Sequence, residues 1–384
     1  MRRAPGKSPV VAHVVSELRP GGVEVRTLEL LKQLGDRGDE HIVLTMSGRK
    51  GPLAVEYEAI SVSVIPLSLR SLSFPFQFIS ILRRRRVDVV HSNIHYTSGY
   101  LLFLAFLAGV PVRICHFRSD GPKQIGAIRA LRASSMKRLI GRFATSIVGV
   151  SPGALENSWS VNWPSDPRCR VLQNGIDLGS YRDLEPVDLE SLGIARDAYP
   201  VIAHVGRADL PTKNRDKAIR VLAALQQVYP AAAILFVGRD GRDDAQAQEN
   251  RERWDRIALS HGVRNHVFFA GERGDVKQLL CACDAFLLTS TLEGLPGVLL
   301  EALAVGLPAV STSLPGTQYI FDEVGGVSLI DQCADDLEWA RAVEAALECG
   351  ARKSGSPDQS RSRLEGSAFD LTVSSQQYVE VWNS

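Results

Sequence analysis

Short apolar runs of strand length alternate with longer segments of helical periodicity along almost the whole chain. This alternation predicts βαβ units, in which helices cover both faces of a parallel sheet. A first series of predicted strands comprises Val10–Ser16, Ile42–Met46, Val87–His91, Val112–His116, Ser146–Val150 and Arg170–Leu172. A second series comprises Val201–Val205, Ala233–Val237, Val267–Phe269, Ala285–Leu288 and Ala309–Ser311. Two such series in 384 residues predict two doubly wound α/β domains, not one large sheet.

Helical periodicity is clearest in five segments, Val23–Leu34, Phe76–Arg85, Ser98–Ala108, Gln124–Phe143 and Leu371–Trp382. The polar stretch Asp177–Ala198 separates the two series and is the natural linker. We therefore place an N-terminal domain at residues 1–180 and a C-terminal domain at residues 181–370. The segment Ala351–Ser367 is rich in Ser, Arg and Gly, which predicts a partly mobile tail before the final helix.

Composition excludes several broad classes of protein. Hydrophobic residues make up 45% and charged residues 23%, which is typical of a globular chain and not of a disordered one. The longest apolar stretch, Tyr100–Val112, is shorter than the ~20 residues that cross a bilayer. The basic N-terminus has a short apolar run that leads into a Pro-Gly-Gly turn, so we expect no signal peptide. Six cysteines without a CxxC pair or metal-ligand spacing predict reduced thiols in the cytoplasm.

Charge is distributed unevenly along the chain. Residues 1–180 carry 24 Lys and Arg against 13 Asp and Glu, a net charge of +11, whereas the remainder carries −10. The first half contains Arg83–Arg86 and the basic segment Gln124–Phe143, whose apolar face is interrupted by Arg132. Two interpretations stay open: this half binds an anionic partner such as a membrane surface, or the apolar face packs on the sheet and the charges are solvated.

The most informative segment follows the predicted strand Ala285–Leu288 and reads TSTLEGLPGVLLEALAVGLPAVST. Pro296 suits the first turn of a helix, and Gly306 suits its end. The backbone N–H groups at such a glycine-rich helix N-terminus favour a diphosphate. Glu301 falls inside this helix among leucines, where a carboxylate needs a polar partner such as two sugar hydroxyls. Taken alone, two glutamates eight positions apart are equally compatible with a solvated helix face.

The string EGLPGVLLEALAVGLPAV resembles the E-x7-E signature of family 4 retaining glycosyltransferases. The segment RICH, which ends at His116, resembles members that read RI-x-H, many of which build bacterial surface polysaccharides. The resemblance implies the GT-B fold, in which two Rossmann-like domains face a cleft and the last helix, 371–384, packs on the first domain. It implies that Glu293 meets the hydroxyls of the donor sugar and that Glu301 holds the nucleotide ribose. The backbone of four residues would meet the diphosphate: Leu295, Pro296, Gly297 and Val298. The family often has an aromatic residue at the position of Leu295.

Two cations follow a strand in the segment HVGRADLPTKN, which places Arg207 and Lys213 at a strand's carboxyl end. Cations at that position would clamp a diphosphate and stabilise its charge as it leaves. The segment resembles the family motif GR followed by KN, with a loop one residue longer than the commonest spacing. The alternative is that either residue is a surface charge.

Three glycines and one arginine complete the implied donor site. Gly21 and Gly22 form a strand-to-helix turn that lacks the GxGxxG spacing of a dinucleotide site. The resemblance places this turn near the donor sugar and phosphates. It also places Gly271 and Arg273 where the family recognises the nucleotide base.

His116 ends a predicted strand, in the segment VPVRICHFRSD. A lone histidine is more often structural than catalytic. The position nevertheless resembles that of the family histidine that hydrogen-bonds the transferred sugar, so we predict a catalytic role. His91, which ends the preceding predicted strand, and Asn93, two residues later, are weaker candidates.

Taken together, we expect a metal-independent hexosyltransferase that needs no cofactor and uses a UDP-sugar in preference to a GDP-sugar. Charge stabilisation by Arg207, Lys213 and the helix N-terminus would take the place of a metal. The expected acceptor is a lipid-linked saccharide at an anionic membrane surface, which would make the protein cytoplasmic and peripheral to the inner membrane face. A non-catalytic nucleotide-sugar binding protein and a GT-B epimerase are the alternatives. Nucleic-acid binding is disfavoured because no recognised motif accompanies the basic half.

Overall fold

The computed structural model describes residues 8–35, 37–119, 127–208, 211–352 and 357–384. The chain forms two compact units. Unit 1 comprises Met1–Ile176 together with Ala368–Ser384, and unit 2 comprises Asp177–Ser367.

Unit 1 is built on a parallel sheet whose strand order is β3-β2-β1-β4-β5-β6-β7. Its strands are β1 Val10–Val15, β2 Glu40–Thr45, β3 Ser63–Pro66, β4 Val89–Ser92, β5 Val112–Phe117, β6 Ser146–Gly149 and β7 Cys169–Val171. Alternate residues of β1 enter different cores: Ala12 and Val14 pack on one face of the sheet, and Val11 and Val15 pack on the other. Both faces are therefore buried, which explains why the strand is an unbroken apolar run.

The helices of unit 1 cover these two faces. They are α1 Gly22–Leu34, α2 Ala54–Ala59, α3 Phe74–Arg84, α4 Ser98–Ala108, α5 Ala127–Phe143, α6 Pro152–Ser158 and, from the end of the chain, α14 Leu371–Trp382. Helix α14 contributes Tyr378, Val381 and Trp382 to the same core as Val11 and Val15.

Unit 2 has a second parallel sheet, with strand order β10-β9-β8-β11-β12-β13. Its strands are β8 Val201–Val205, β9 Ala233–Val237, β10 Val267–Gly271, β11 Ala285–Leu288, β12 Ala309–Thr312 and β13 Val327–Ile330. Its helices are α7 Arg215–Leu225, α8 Asp244–Ser260, α9 Val276–Cys281, α10 Gly297–Ala304, α11 Pro315–Val324, α12 Asp336–Arg352 and α13 Pro357–Leu364. A core that contains Ile202, Ile234 and Leu287 joins the middle strands to helices on one face of the sheet, and Leu235, Phe286 and Leu288 are buried outside that cluster.

These two sheets confirm the predicted α/β class with two parallel-sheet domains. The predicted bounds of Ser98–Ala108, Val201–Val205 and Leu371–Trp382 coincide with those of α4, β8 and α14. The six cysteines are free thiols. No helix among the described residues is long and apolar enough to span a membrane.

The structure bears on two further predicted segments. Segment Ala351–Ser367, predicted as a partly mobile tail, contains helix α13, whose Leu364 is fully buried; residues 353–356 lie outside the described part. The predicted basic helix is described from Ala127 onward, so Gln124–Gly126 lie outside the described residues. The apolar face of that helix packs within unit 1: the Phe143 ring lies 5.1 Å from those of Phe103 and Phe106 on α4. The contacts of Phe143 therefore agree with the interpretation in which the apolar face of this helix packs inside its own domain.

Candidate functional site

The strand order of each sheet reverses at one place, and open α/β sheets bind ligands there, beyond the carboxyl ends of the strands. In unit 1 the reversal lies between β1 and β4, and in unit 2 it lies between β8 and β11. Most of the sequence-predicted residues follow one of these four strands. The two carboxyl edges therefore form the candidate site of each unit.

In unit 2, the loop after β11 carries Glu293 and leads into α10. Helix α10 begins at Gly297 after Pro296, and no side chain caps its N-terminus. A helix N-terminus without a cap presents N–H donors and a positive end of the helix dipole. Leu295 and Pro296 are buried, while Gly297 and Val298 are half-exposed. The N-terminus of α10 is thus left without a side-chain cap, which is compatible with the predicted anion site.

Glu293 forms an ion pair with Lys213, which was also predicted to take part in donor binding. The Lys213 Nζ lies 2.6 Å from the Glu293 Oε1, and the side chains are only 20% and 13% exposed. Their loops are tied together, because the Thr291 N–H donates to the Thr212 carbonyl at 2.8 Å. A Cβ on Gly206 would lie 2.7 Å from the Lys213 Cε, so a glycine is needed for the lysine to lie across it. The structure thus brings together two residues that are 80 positions apart in sequence.

Arg207 lies two residues after the end of β8, in the loop that leads to Lys213, and is exposed. Its loop continues into residues 209 and 210, which are outside the described part. Two carbonyls of the edge are held from below by the buried Arg215, whose Nη2 donates to Gly206 at 3.0 Å and to Gly238 at 3.1 Å. Arg215 also pairs with the buried Asp240, which in turn pairs with Arg251. The sequence analysis missed this arginine.

Arg215 is fixed by aromatic rings as well as by charge. Its guanidinium lies 4.8 Å from the ring centroid of Trp254 and 5.1 Å from that of Phe236. Burial lowers the pKa of Arg215, while the bond to Asp240 acts in the opposite direction. The residue is the first of α7, and the sequence signal that could have identified it is the cation after Asn214 at a strand-to-helix turn.

Glu301 lies in α10, one turn beyond Gly297, and is half-exposed between the buried Leu300 and Ala302. Gly271 ends β10 with a φ of +69°, a conformation that favours glycine. Arg273 follows and is engaged with Asp275 of its own loop, at 2.8 Å from Nε and 2.6 Å from Nη2. This bond lowers the pKa of Asp275. The Arg273 side chain thus bonds to a carboxylate of its own loop in this structure.

In unit 1, Gly21 and Gly22 lie at the start of α1. Gly21 is the N-cap in extended conformation, and a Cβ there would lie 2.8 Å from the Glu24 Oε2. Gly22 has open space where a Cβ would be. The carboxylate of Glu24 thus lies at the helix N-terminus, where the resemblance places phosphates.

His116 lies in β5 and is completely buried. Its Nδ1 lies 2.9 Å from the Nε2 of His91, and the His91 Nδ1 lies 3.0 Å from the Nε1 of Trp382. Burial lowers the pKa of His116 well below its ordinary value; Arg118 and His91 add to this, and a backbone contact with Leu172 opposes it. His116 is therefore a neutral imidazole. Its Nε2 is buried without a hydrogen-bond partner among the described residues, which costs about 1–3 kcal/mol for an unpaired donor.

Arg118 joins several candidates at this edge and was missed by the sequence analysis. Its Nε donates to the Asn93 Oδ1 at 2.8 Å, and its Nη1 donates to the Tyr378 hydroxyl at 3.0 Å and to the Asn174 Oδ1. Asn93 and Asn174 follow β4 and β7, so this guanidinium bridges three strand ends and α14. The available signal was its position two residues after His116.

Other predicted residues lie away from this edge. Arg83–Arg86 are exposed at the C-terminal end of α3, just before β4, and so belong to the amino edge of the sheet. No group of three or more His, Cys, Asp or Glu with the geometry of a metal site occurs in the described ranges.

Comparisons with known proteins match both units. The family model described as Glycosyltransferase Family 4 matches residues 20–180, and the model described as Glycosyl transferases group 1 matches residues 193–363. The capsular polysaccharide biosynthesis glycosyltransferase CapH of Staphylococcus aureus is 28% identical, with 97% of this chain and 98% of CapH covered. A Campylobacter jejuni protein named N,N'-diacetylbacillosaminyl-diphospho-undecaprenol alpha-1,3-N-acetylgalactosaminyltransferase is 25% identical, with 83% of this chain and 82% of that protein covered.

Solved structures share the fold. Anabaena HepE in complex with UDP-glucose superposes with a TM-score of 0.79 at 20% identity, covering 97% of this chain and 98% of HepE. The two family models together span most of both units, and the strand orders are those of paired Rossmann-like sheets. The chain is thus a member of glycosyltransferase family 4 and has the GT-B fold.

Proposed function

We propose that the protein transfers a sugar, with retention of anomeric configuration, from a nucleotide-sugar to an acceptor hydroxyl in the assembly of a bacterial polysaccharide or glycolipid. The observation that carries the proposal is the Lys213–Glu293 pair beside the uncapped N-terminus of α10. This pair and the helix N-terminus place a cation, a hydrogen-bond acceptor and N–H donors where the strand order of the sheet reverses. Such a combination suits a sugar diphosphate. The family membership and the printed function of CapH support the same reaction class.

Each unit receives one substrate in this proposal. Unit 2 binds the donor: Glu301 takes the ribose, the backbone of Leu295–Val298 takes the diphosphate, and Gly271 and Arg273 border the base. Unit 1 forms the acceptor side. The nucleotide is a uridine nucleotide, a choice supported by the UDP-glucose bound in the HepE structure.

The chemistry follows from the charges of the edge. The bond between the sugar C1 and the diphosphate oxygen breaks, and its electron pair stays on the diphosphate. Arg207, Lys213 and the N-terminus of α10 stabilise that charge, each contact contributing about 3–4 kcal/mol to lowering the barrier. The acceptor oxygen bonds to C1 from the same face, and its proton passes to the departing diphosphate.

Glu293 and His116 orient the transferred sugar in this scheme. Glu293 accepts hydrogen bonds from the sugar's hydroxyls, which requires it to exchange part of its bond to Lys213. That exchange frees the lysine for the diphosphate at the moment the donor binds. His116, neutral and with an unpaired Nε2, is suited to hydrogen-bond a sugar hydroxyl.

The acceptor is proposed to be a lipid-diphosphate-linked saccharide, as the name of the Campylobacter relative suggests. Unit 1 has exposed cations and apolar side chains at one edge. The Arg83 Nη2 donates to the Leu107 carbonyl at 2.8 Å, and Leu107 and Phe106 are 45% and 46% exposed. Cations beside exposed apolar groups suit an anionic membrane surface, at about 1 kcal/mol for each cation.

Vesicle sedimentation tests this surface. Replacing Arg83–Arg86 by Gln should weaken binding to anionic vesicles, and the difference should shrink as salt rises. Substituting Arg264, an exposed arginine of unit 2 paired with Asp255, is the matched control and should leave vesicle binding unchanged. If the wild type ignores anionic vesicles at low salt, a soluble acceptor replaces the membrane proposal.

Product analysis tests the proposed reaction. A thermal-shift screen with UDP-, GDP- and ADP-sugars identifies the donor, because a ligand of the folded state raises the melting temperature. Incubation of that donor with lipid-diphosphate-linked saccharides, with and without EDTA, should give an α-linked product from an α-linked donor in both conditions. Binding without transfer would favour the nucleotide-sugar binding alternative, and loss of activity in EDTA would refute metal independence.

A further inference from the structure

Four histidines of unit 1 form a row across four adjacent strands. His41, His13, His91 and His116 lie on β2, β1, β4 and β5, on the sheet face covered by α14. The rings of His13 and His91 are 5.9 Å apart, and those of His91 and His116 are 5.2 Å apart. Burial lowers the pKa of His13, His91 and His116 well below its ordinary value. The row is therefore a set of neutral imidazoles whose hydrogen-bond direction depends on their tautomers.

The third imidazole of the row, that of His91, is bonded by a group that can act only as a donor. The indole Nε1 of Trp382 lies 3.0 Å from the His91 Nδ1, and an indole has no acceptor. The Nδ1 of His91 must therefore be unprotonated, so its proton is on Nε2. That Nε2 lies 2.9 Å from the His116 Nδ1, which must then accept. A neutral His116 whose Nδ1 accepts carries its own proton on Nε2.

The remaining neighbours leave this direction unchanged. His13 turns away, with its Nε2 3.2 Å from the Nδ1 of His41. Tyr378 stacks over His91 and directs its hydroxyl to Arg118, not to an imidazole. The backbone of Leu172, which also contacts His116, acts to raise the pKa of that residue and so favours a protonated nitrogen there. The indole of Trp382 is the donor that fixes the proton of His91 and, through His91, the accepting Nδ1 of His116.

We propose that Trp382 and His91 are positioning residues that fix His116 as an Nε2–H donor toward the transferred sugar. The final helix α14 thus contributes to the site through an indole that touches no reacting atom. Without the indole proton, His91 can place its proton on Nδ1 and accept through Nε2. His116 would then donate through Nδ1, and its Nε2 would become an acceptor. The proposal rests on the sugar-binding role proposed for His116.

Trp382→Phe tests the relay because it keeps an aromatic ring and removes only the donor. Long-range ¹H–¹⁵N spectra of histidine-labelled protein identify which nitrogen of His116 is protonated. The wild type should show one tautomer with the proton on Nε2, and the variant should show a mixture. The kcat/KM for release of UDP from the UDP-sugar should fall in proportion to the fraction of His116 that loses its Nε2 proton, up to about tenfold where that tautomer is nearly lost.

Trp339→Phe is the matched control. Trp339 is a buried tryptophan of unit 2, and its Nε1 has no hydrogen-bond partner among the described residues. This substitution should change neither the His116 spectrum nor kcat/KM. A second pair of variants covers a failure of Trp382→Phe to fold. His91→Gln can accept from Trp382 and donate to His116, so it should retain more activity than His91→Phe.

Two results would overturn the relay, and a third would refute only the sugar-binding role on which it rests. An unchanged His116 tautomer in Trp382→Phe would show that the indole does not set it. A changed tautomer with unchanged kcat/KM would leave the relay intact and refute the sugar-binding role of His116. Equal activity of His91→Gln and His91→Phe would show that His91 acts by packing alone.

Discussion

The carboxyl edges of the two sheets carry different kinds of side chain. In unit 2 the edge consists of ion pairs, Lys213 with Glu293 above and Arg215 with Asp240 below. In unit 1, neutral histidines, amides and a tyrosine surround Arg118 beyond β4 and β5, whereas ion pairs of Glu17 with Arg19 and Arg49 lie in the loops after β1 and β2. Both edges follow buried parallel strands of similar sequence character.

The difference corresponds to what each edge would bind. A diphosphate carries concentrated charge, and paired cations can hold it if their partners are exchangeable. A sugar or acceptor hydroxyl is neutral, and buried neutral donors recognise it without the cost of desolvating a charge. The comparison therefore supports a donor-phosphate role for unit 2 and a hydroxyl role for unit 1.

The largest expected difference between the two units is in how much stability each loses in acid. In unit 1, burial lowers the pKa values of His13, His91 and His116. In the described part of unit 2, burial lowers the pKa of one histidine, His204, to about 3. Below about pH 6.5 the unfolded state binds protons that the folded state does not. Stability therefore falls as pH falls, by ~1.4 kcal/mol per pH unit for each such histidine.

Hydrogen exchange measures this contrast. Peptides from unit 1 should lose more protection than peptides from unit 2 between pH 7 and pH 5.5, after correction for intrinsic exchange. Equal losses, or an earlier loss in unit 2, would contradict the assignment of neutral histidines to unit 1.

The next effect concerns the charges beneath the unit 2 edge. Arg215→Met leaves Asp240, which is 9% exposed, without its buried partner and releases the carbonyls of Gly206 and Gly238. Breaking a buried pair from one side costs about 3–5 kcal/mol. Chemical denaturation measures the loss.

Arg251→Gln is the control for this prediction, because Arg251 bonds the same carboxylate but is 40% exposed. It should cost less than about 1 kcal/mol, as exposed pairs do. Similar losses for the two variants would show that burial does not distinguish them.

The third prediction concerns the ion pair of Lys213 and Glu293. Each single variant of this pair should lower kcat/KM by about 100- to 1000-fold. Lys213→Met removes a cation from the leaving diphosphate, and Glu293→Gln weakens a contact to the sugar. Because the two side chains bond each other, the double variant should lose less than the product of the single losses. Steady-state kinetics of all three variants gives the coupling, and strict additivity would show that the pair acts as two independent residues.

How far the sequence could predict this molecule depended on burial. Strands buried on both faces, such as β8 and β11, are continuous apolar runs that periodicity identifies directly. Strands β3 and β13 were missed because they are short edge strands that are only partly buried. Helix α13 was missed because it has a single apolar residue, Leu364, whose burial depends on tertiary packing.

In the candidate site, too, the sequence predicts local motifs but not contacts between distant segments. The motif around Glu293 and Glu301 is local, so sequence alone located it. Arg118 and Arg215 were missed because each looks like a solvated charge in its local sequence, and its partners come from distant strands. The pairing of His116 with Trp382 through His91 spans the two ends of unit 1, which no local pattern encodes.

Nucleotide binding tests the central claim, that the unit 2 edge holds the diphosphate and ribose of the donor. Calorimetric titration with UDP should show binding to the wild type and at least about tenfold weaker binding to Glu301→Ala, because hydrogen bonds to a charged acceptor contribute about 1.5–3 kcal/mol each. Arg264→Gln, on the surface of the same unit, should bind UDP as the wild type does. If folded Glu301→Ala binds UDP as tightly as the wild type, α10 does not hold the ribose, and the donor site assigned to this edge is wrong.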